Sequence, residues 1–430
     1  MNDVWVETTL GAVAEIVGGG TPSTSEPSYW GEDVVWLTPT EVVKADGTRI
    51  GSSGRMISAS GLANSSAKML PRNTVLLTTR ASVGFVALAD CALATNQGFQ
   101  SLIPGPSVTP EFLMYWVQGN RTEFTSRAGG STFPEIGKSK VQTIPISLPP
   151  LPVQRRIVDL MAHLDNQIAN LRLERDSAGA VRVATLSTLL DATREVPADY
   201  DAAFDLAASA PQASPTSEQT INNGWPDLGV ADVTVMVKRG RAPEYADHGA
   251  LVVSQKCIQY GNEFATALAR RTDALSKPVP EWAWLLETDT LVNSTGRGTL
   301  GRAAYVGRLD EPTTADSHVA IVRPDPRKVV PRFLGIVLSA SFTKIESLQS
   351  GSTSQTELSP SSLLMMHIPV PPLPVQRRIV DLMAHLDNQI AGIDVEVSTL
   401  ESLRRQLLAS LLSQGVELPA SYDLLLDGVA

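Results

Sequence analysis

The chain has 430 residues, 43% hydrophobic and 19% charged, which is enough for two or three domains with cores of their own and too apolar for disorder. Lys+Arg total 35 against 45 Asp+Glu, a net charge of -10 that, as an average, opposes nucleic acid and anionic membrane surfaces. Two cysteines and five histidines, with no Cys-x-x-Cys or His-x-x-x-His spacing, give no disulfide framework and no expected metal site. No signal peptide is read at the N-terminus, and no stretch of 18 apolar residues runs unbroken, so a cytoplasmic, thiol-reduced protein is expected.

Residues 1–148 carry short β-like runs at 34–37, 74–79 and 85–88, separated by Gly/Pro turns. A helix is expected over 110–126, opened by Pro110 at its first position. Residues 149–190 read as a helical region, with apolar residues at Ile157, Leu160, Leu164, Ile168 and Leu171 and a weaker continuation through Gly179. Residues 191–225, rich in Ala, Pro, Ser and Asp, read as a linker. A second domain, 226–370, shows β-like runs at 233–237, 250–254 and 320–322 and a helix over 331–347. A second helical region, 371–414, carries a long stripe from Ile379 to Leu411 with a period near 3.5, followed by a tail at 415–430.

An internal repeat organises this order. The 21 residues PPLPVQRRIVDLMAHLDNQIA at 149–169 recur without change at 371–391. Elsewhere the halves are only distantly alike, as where 110–132 aligns loosely with 331–353 and both end in Gly-Ser-Thr. Identical segments between divergent domains imply one job done twice beside two versions of a related job, with local gene conversion as the bland alternative. Two such helices most simply pack antiparallel as a coiled coil, giving a pseudo-twofold axis and two places for one partner. The rival is two amphipathic helices each covering its own domain. Arg155 and Arg156, like Arg377 and Arg378, lie just inside the helix starts, where the dipole disfavours cations. They pair with a partner or with the neighbouring domain, and solvated arginines are the equal alternative; Gln154 and Gln376 join them as candidate partner contacts.

The arrangement resembles the specificity subunit of type I restriction–modification systems. The resemblance rests on Leu-Pro-Val-Gln-Arg-Arg-Ile at 151–157 and 373–379, preceded by Ile144-Pro145 and Ile368-Pro369. It rests also on the opening run 10–42, the 79–84 turn, Thr95-Asn96-Gln97-Gly98 and the Gly-Ser-Thr motif. One departure is Val153 and Val375, where the family often has Glu. The resemblance implies two α/β (α+β) target-recognition domains joined by two long conserved helices in an antiparallel, pseudo-twofold coiled coil. It implies a non-catalytic chain that reads a bipartite site on double-stranded DNA and docks two methyltransferase subunits, the helices setting half-site separation. Restriction/translocase subunits would join them, and the cofactors would sit in the partners: S-adenosylmethionine in the methyltransferase, ATP and magnesium in the nuclease. A pseudo-symmetric protein-binding scaffold without DNA specificity is the alternative.

An enzyme reading finds little support. The Pro-Pro pairs lack the Asn/Asp-Pro-Pro-Tyr context of an amino-methyltransferase, and Gly296-Arg297-Gly298-Thr299-Leu300-Gly301 reads better as a turn than as a cofactor loop. For DNA, the useful groups are Arg or Lys toward guanine, Asn or Gln toward adenine, and cations and hydroxyls toward phosphate. Candidates in the first domain are Lys68, Arg80, Ser82, Asn96, Gln97, Ser131, Thr132, Lys138 and Lys140. The second offers Lys238, Arg239, Arg241, Gln255, Lys256, Arg270, Arg271, Arg297, Arg302, Ser352, Thr353 and Gln355, with 238–241 the densest basic run. The acidity lies mostly outside these domains, in the linker and after residue 372. The domains are near neutral, so the isolated chain is expected to bind DNA weakly and to rely on cationic partners.

Overall fold

The computed structural model describes residues 4–80, 82–130, 134–190, 225–259, 262, 264–275, 277–350, 357–419 and 421–422. Two compact units divide the chain: residues 1–173 with 394–430, and residues 174–393. The linker reading at 191–225 falls, apart from residue 225, outside the described residues.

In the first unit, a five-stranded sheet orders Ala14–Gly18, Gln100–Pro104, Val75–Leu77, Val86–Ala89 and Arg49–Ile50. A three-stranded sheet sets Trp30–Leu37 between Met56–Ile57 and Ala94–Thr95. Strands 75–77, 86–89 and 94–95 are buried at every position, which is why they read as short apolar runs without alternation. The chain ends of the domain pair with each other, Val6–Thr9 antiparallel to Pro145–Leu148.

The second unit repeats the plan. Thr234–Arg239, Val319–Pro324, Thr290–Asn293 and Ala303–Tyr305 form one sheet; Tyr245–Ala246, Arg270–Thr272, Ala250–Val253 and Thr313–Ala315 form the other. Asp227–Gly229 closes on His367–Pro369 as 6–9 closes on 145–148. The registers correspond: Leu37 lies opposite Thr95 as Val253 lies opposite Ala315, both in parallel pairs.

The single helix expected near the end of each domain is two helices in both, a correction with a local cause. Pro110–Gly119 and Arg121–Arg127 meet at Asn120, and Pro331–Ala340 and Phe342–Ser347 meet at Ser341. Both junction residues leave helical geometry, at φ -115°, ψ 28° and φ -87°, ψ 19°. The first helix of each pair buries six consecutive residues, 112–117 and 333–338, in a core shared with the sheet and the long helices. Asn120 turns its side-chain amide back onto the Trp116 carbonyl at 2.9 Å, ending that helix so the chain can turn.

Leu151–Leu190 and Leu373–Leu412 are unbroken 40-residue helices, each about 60 Å long. Residues 151–173 and 394–412 of these helices belong to the first unit, and residues 174–190 and 373–393 to the second. In the first unit Val153, Ile157 and Met161 join Leu408 and Leu411 in the domain's core; in the second, Leu186 joins Ile379 and Met383. The helices therefore pair and also cover the domains, so the two readings of the repeat merge.

Candidate nucleic-acid interface

Polar contacts between the helices run antiparallel. In the first unit Asp165 accepts from Arg404, with Nη2 to Oδ2 at 3.1 Å, and Arg172 pairs with Glu401 at 2.6 Å, so one number rises as the other falls. In the second unit Arg182 pairs with Asp387. Asp165 and Asp387 are the same letter of the repeat, and Arg182 and Arg404 follow them by the same interval. The two ion pairs are thus one interaction with the copies' roles exchanged, as antiparallel pairing of like helices requires. Arg404 does more than Arg182: its Nη2 also reaches Gln118 Oε1 at 3.0 Å. Tyr115 donates its hydroxyl to Asp165 at 2.8 Å, and burial followed by the Asp165 charge pushes the phenol upward.

The helix starts correct the partner-contact reading. Gln154 is fully buried; its Oε1 accepts from Thr109 N–H at 2.8 Å, and its Nε2 donates to the Ser107 and Pro149 carbonyls at 2.9 Å each. Gln376 repeats this with Val330 N–H at 2.7 Å, Pro371 O at 2.7 Å and Lys328 O at 3.4 Å. Each glutamine ties the helix start to the entry of the domain's Pro-led helix, so neither is available to another chain. Arg156 is also buried and donates to the Leu418 carbonyl at 3.1 Å, whereas Arg155, Arg377 and Arg378 are exposed.

In the first domain, three segments lie side by side where the inner strands Val75–Leu77 and Gln100–Pro104 run out of the sheet. Thr79 N–H donates to Gly98 O at 2.8 Å, Ile136 N–H to Thr79 O at 3.0 Å, and Gly129 and Glu135 exchange backbone bonds. This rail gathers Arg80, Asn96 and Gln97 from distant stretches. Arg80 is exposed and lies 3.5 Å from the Glu135 carboxylate. Asn96 accepts from Gly98 N–H at 2.8 Å, and Gln97 accepts from the Thr21 hydroxyl. Gly19 crosses so close that a Cβ there would lie 2.0 Å from Asn96 O, which only glycine permits. Lys68 is exposed and Ser82 half-buried. Lys138 is exposed, and Lys140 donates to the Arg127 carbonyl at 2.9 Å. Ser131 and Thr132 lie outside the described residues.

The second domain rebuilds the same rail: Ser294 N–H to His318 O at 2.8 Å, Leu358 N–H to Ser294 O at 2.8 Å, and Ser350 exchanging bonds with Glu357. Asp316 stands where Asn96 stands, accepting from His318 N–H at 2.8 Å, while its other oxygen faces the Tyr245 hydroxyl at 3.5 Å. Burial raises the Asp316 carboxyl above its ordinary range, against the lowering pull of His318. Glu357 holds an arginine as Glu135 does, here Arg239 from the neighbouring strand, which also donates to Leu358 O at 2.6 Å. Gly240 passes within 2.1 Å, measured from its would-be Cβ, of Ala315 O.

Other candidates divide by what holds them. Arg241 and Arg297 are exposed, Arg297 at the tip of the 296–301 turn, whose three glycines all have positive φ. That segment is the turn expected. Gln255 accepts from Thr299 at 3.3 Å beneath it, Arg302 donates to Gly298 O at 3.1 Å, and Lys256 is exposed next to Gln255. Lys238 sits 5.1 Å from the Trp282 ring. Arg271 pairs with Glu311, at 2.6 and 3.0 Å, and donates to Gly249 O. Ser352, Thr353 and Gln355 lie outside the described residues. Arg270, a candidate from the sequence, lies over the Tyr245 ring with its guanidinium 3.4 Å from the centroid; sequence reasoning missed the matching Arg55, 4.0 Å from the Trp30 ring centroid.

Comparison with known proteins agrees with this architecture. The family model for the type I restriction modification DNA specificity domain matches residues 2–176 and 283–398. The MjaIX type I restriction enzyme specificity subunit of Methanocaldococcus jannaschii is 24% identical over 422 residues, covering 95% of this chain and 92% of that one. A structure from work on assembly and conformational transition of a type I restriction–modification system superposes with TM-score 0.58 at 18% identity, covering 95% and 97% of the two chains. The specificity subunit of M. genitalium superposes with TM-score 0.51 at 15% identity, covering 95% and 96%. With one frame built twice around a repeated helix pair, and the family model matching well over half its length, the chain belongs to the type I restriction–modification DNA specificity family, as a specificity subunit with two such domains.

Proposed function

We propose that this chain is the non-catalytic DNA reader of a type I modification complex, each domain taking one half of a bipartite double-stranded site. The observation that carries this reading is repetition of the frame with divergence of the surface. The rail, the glycine crossing, the glutamine tie and the helix ion pair recur position by position. The side chains set on them do not: exposed Arg80 corresponds to half-buried Thr295, and half-buried Asn96 to buried Asp316. A frame kept and a surface changed is what two readers of different sequences need, since base readout depends on individual side chains.

Two methyltransferase subunits would dock on the helices, and restriction subunits would join them. Leu173, Val395 and Leu403 in the first unit, and Val181 and Val183 in the second, leave apolar side chains in water on those helices, which supports a partner there. S-adenosylmethionine and ATP would be bound by those partners in the cytoplasm. The test is methylation mapping of host DNA with and without the gene. A two-part adenine-methylated motif should vanish on deletion; an unchanged methylation pattern would refute the proposal and leave the protein-scaffold reading.

A further inference from the structure

The two cation–aromatic stacks occupy the same place in both domains. Arg55 lies opposite Trp36, whose strand neighbour is Ala94; Arg270 lies opposite Val252, whose strand neighbour is Thr314. Trp30 pairs with Ile57 and Tyr245 with Thr272, each two residues beyond its arginine. Register therefore equates Arg55 with Arg270 and Trp30 with Tyr245, although the surrounding sequences do not align by eye.

Each aromatic is fixed from behind. Trp30 donates its indole N–H to Ser23 O at 3.1 Å and packs edge-on against Trp36, 5.3 Å between centroids. Tyr245 faces Asp316 through its hydroxyl. Both arginines are exposed, and neither has a carboxylate partner within salt-bridge distance among the described residues. A guanidinium laid on a ring is held in one orientation while its edge N–H groups stay open toward solvent, the state suited to a two-point acceptor. Tyr245 and Arg270 line a surface cleft with Ala246, Asp247 and Arg271.

We infer that Arg55 and Arg270 are paired phosphate clamps, one for the DNA backbone of each half-site, oriented by Trp30 and Tyr245. This rests on the DNA-reading proposal above. The choice of phosphate over base follows from the repeat: two domains that read different bases share this group, and what they share must recognise what every sequence has. Domains whose net charge is near zero also rely on phosphate contacts placed individually, because their net charge supplies little attraction.

The test uses the full chain assembled with its methyltransferase partner, and duplexes carrying the motif found by methylation mapping. Arg55→Met and Arg270→Met keep apolar packing on the rings and remove the charge. Each should flatten the plot of log affinity against log salt by about 0.9, so between 50 and 200 mM salt the wild-type complex loses roughly 3.5-fold more affinity than either variant. The methylated motif should stay the same. An unchanged salt slope would overturn the clamp, and so would relaxation at a single base pair, which would make the arginine a base reader. If a Met variant fails to fold, Arg55→Lys and Arg270→Lys carry the test: slope retained, affinity lower by a few fold. Wild-type affinity in the lysine variants would contradict the need for a stacked fork. A wild-type complex with no DNA motif would instead sink the DNA-reading proposal itself.

Discussion

Replacing Gln154 with leucine removes the tie between the first long helix and its domain without changing side-chain bulk much. Three hydrogen bonds disappear at a fully buried position: Thr109 N–H loses its acceptor, and the Ser107 and Pro149 carbonyls lose a donor. An orphaned buried donor costs about 1–3 kcal/mol, and carbonyls with a second lone pair cost less, giving about 2–5 kcal/mol in all. For a unit of this size that is a fall in melting temperature of roughly 5–15 °C. Gln376→Leu should cost somewhat less, because its bond to Lys328 O is already long at 3.4 Å. Thermal unfolding of the two variants reads the magnitude, and amide exchange at Thr109 and Val330 reads the cause. A melting shift under about 1 °C with those amides still protected would refute the tie, since the N–H groups would then have found another partner.

Asp316→Asn should stabilise the second unit at neutral pH. The raised carboxyl binds its proton more tightly in the folded state, so its contribution is full below the unfolded value and is lost as pH rises through the folded one. Asn96 already fills the matching turn, so the substitution is compatible with the backbone; equal or lower stability at pH 7 would count against it, as would a benefit that persists near pH 3.5. Removing the helix ion pairs should be unequal: about 1 kcal/mol for Arg182→Ala, which loses Asp387, and about 2–3 kcal/mol for Arg404→Ala, which loses Asp165, Gln118 and the Tyr115 ring. Equal losses in denaturant titration would contradict the network. The chain alone should bind its target duplex no tighter than roughly micromolar at 0.15 M salt, and nanomolar binding without partners would overturn the charge argument.

The repeat, the helix pair and the alternation of domain and helix were legible because identity and a 3.5-residue stripe do not depend on tertiary context. The stripe did not reveal Met161 and Met383, both fully buried beside it. Gln154 and Gln376 were misread because a polar residue near a helix start looks exposed in sequence; their burial comes from chain packed over them at 107–109 and 328–330. The rail was half legible: Arg80, Asn96 and Gln97 were singled out separately, but strand register brings them together. The Arg–aromatic stacks were least legible, since Trp30 and Tyr245 differ and only paired strands show their equivalence. The exchanged ion pair could have been found by noting that an arginine follows each repeated aspartate at one interval.

On the proposed function, each domain reads one half of the site on a shared frame. The decisive measurement exchanges residues 226–370 for the corresponding segment of another specificity subunit and then maps methylation. One half of the motif should change to the donor's while the other half and the spacer length stay fixed. A change in both halves, or in the spacer alone, would contradict the account.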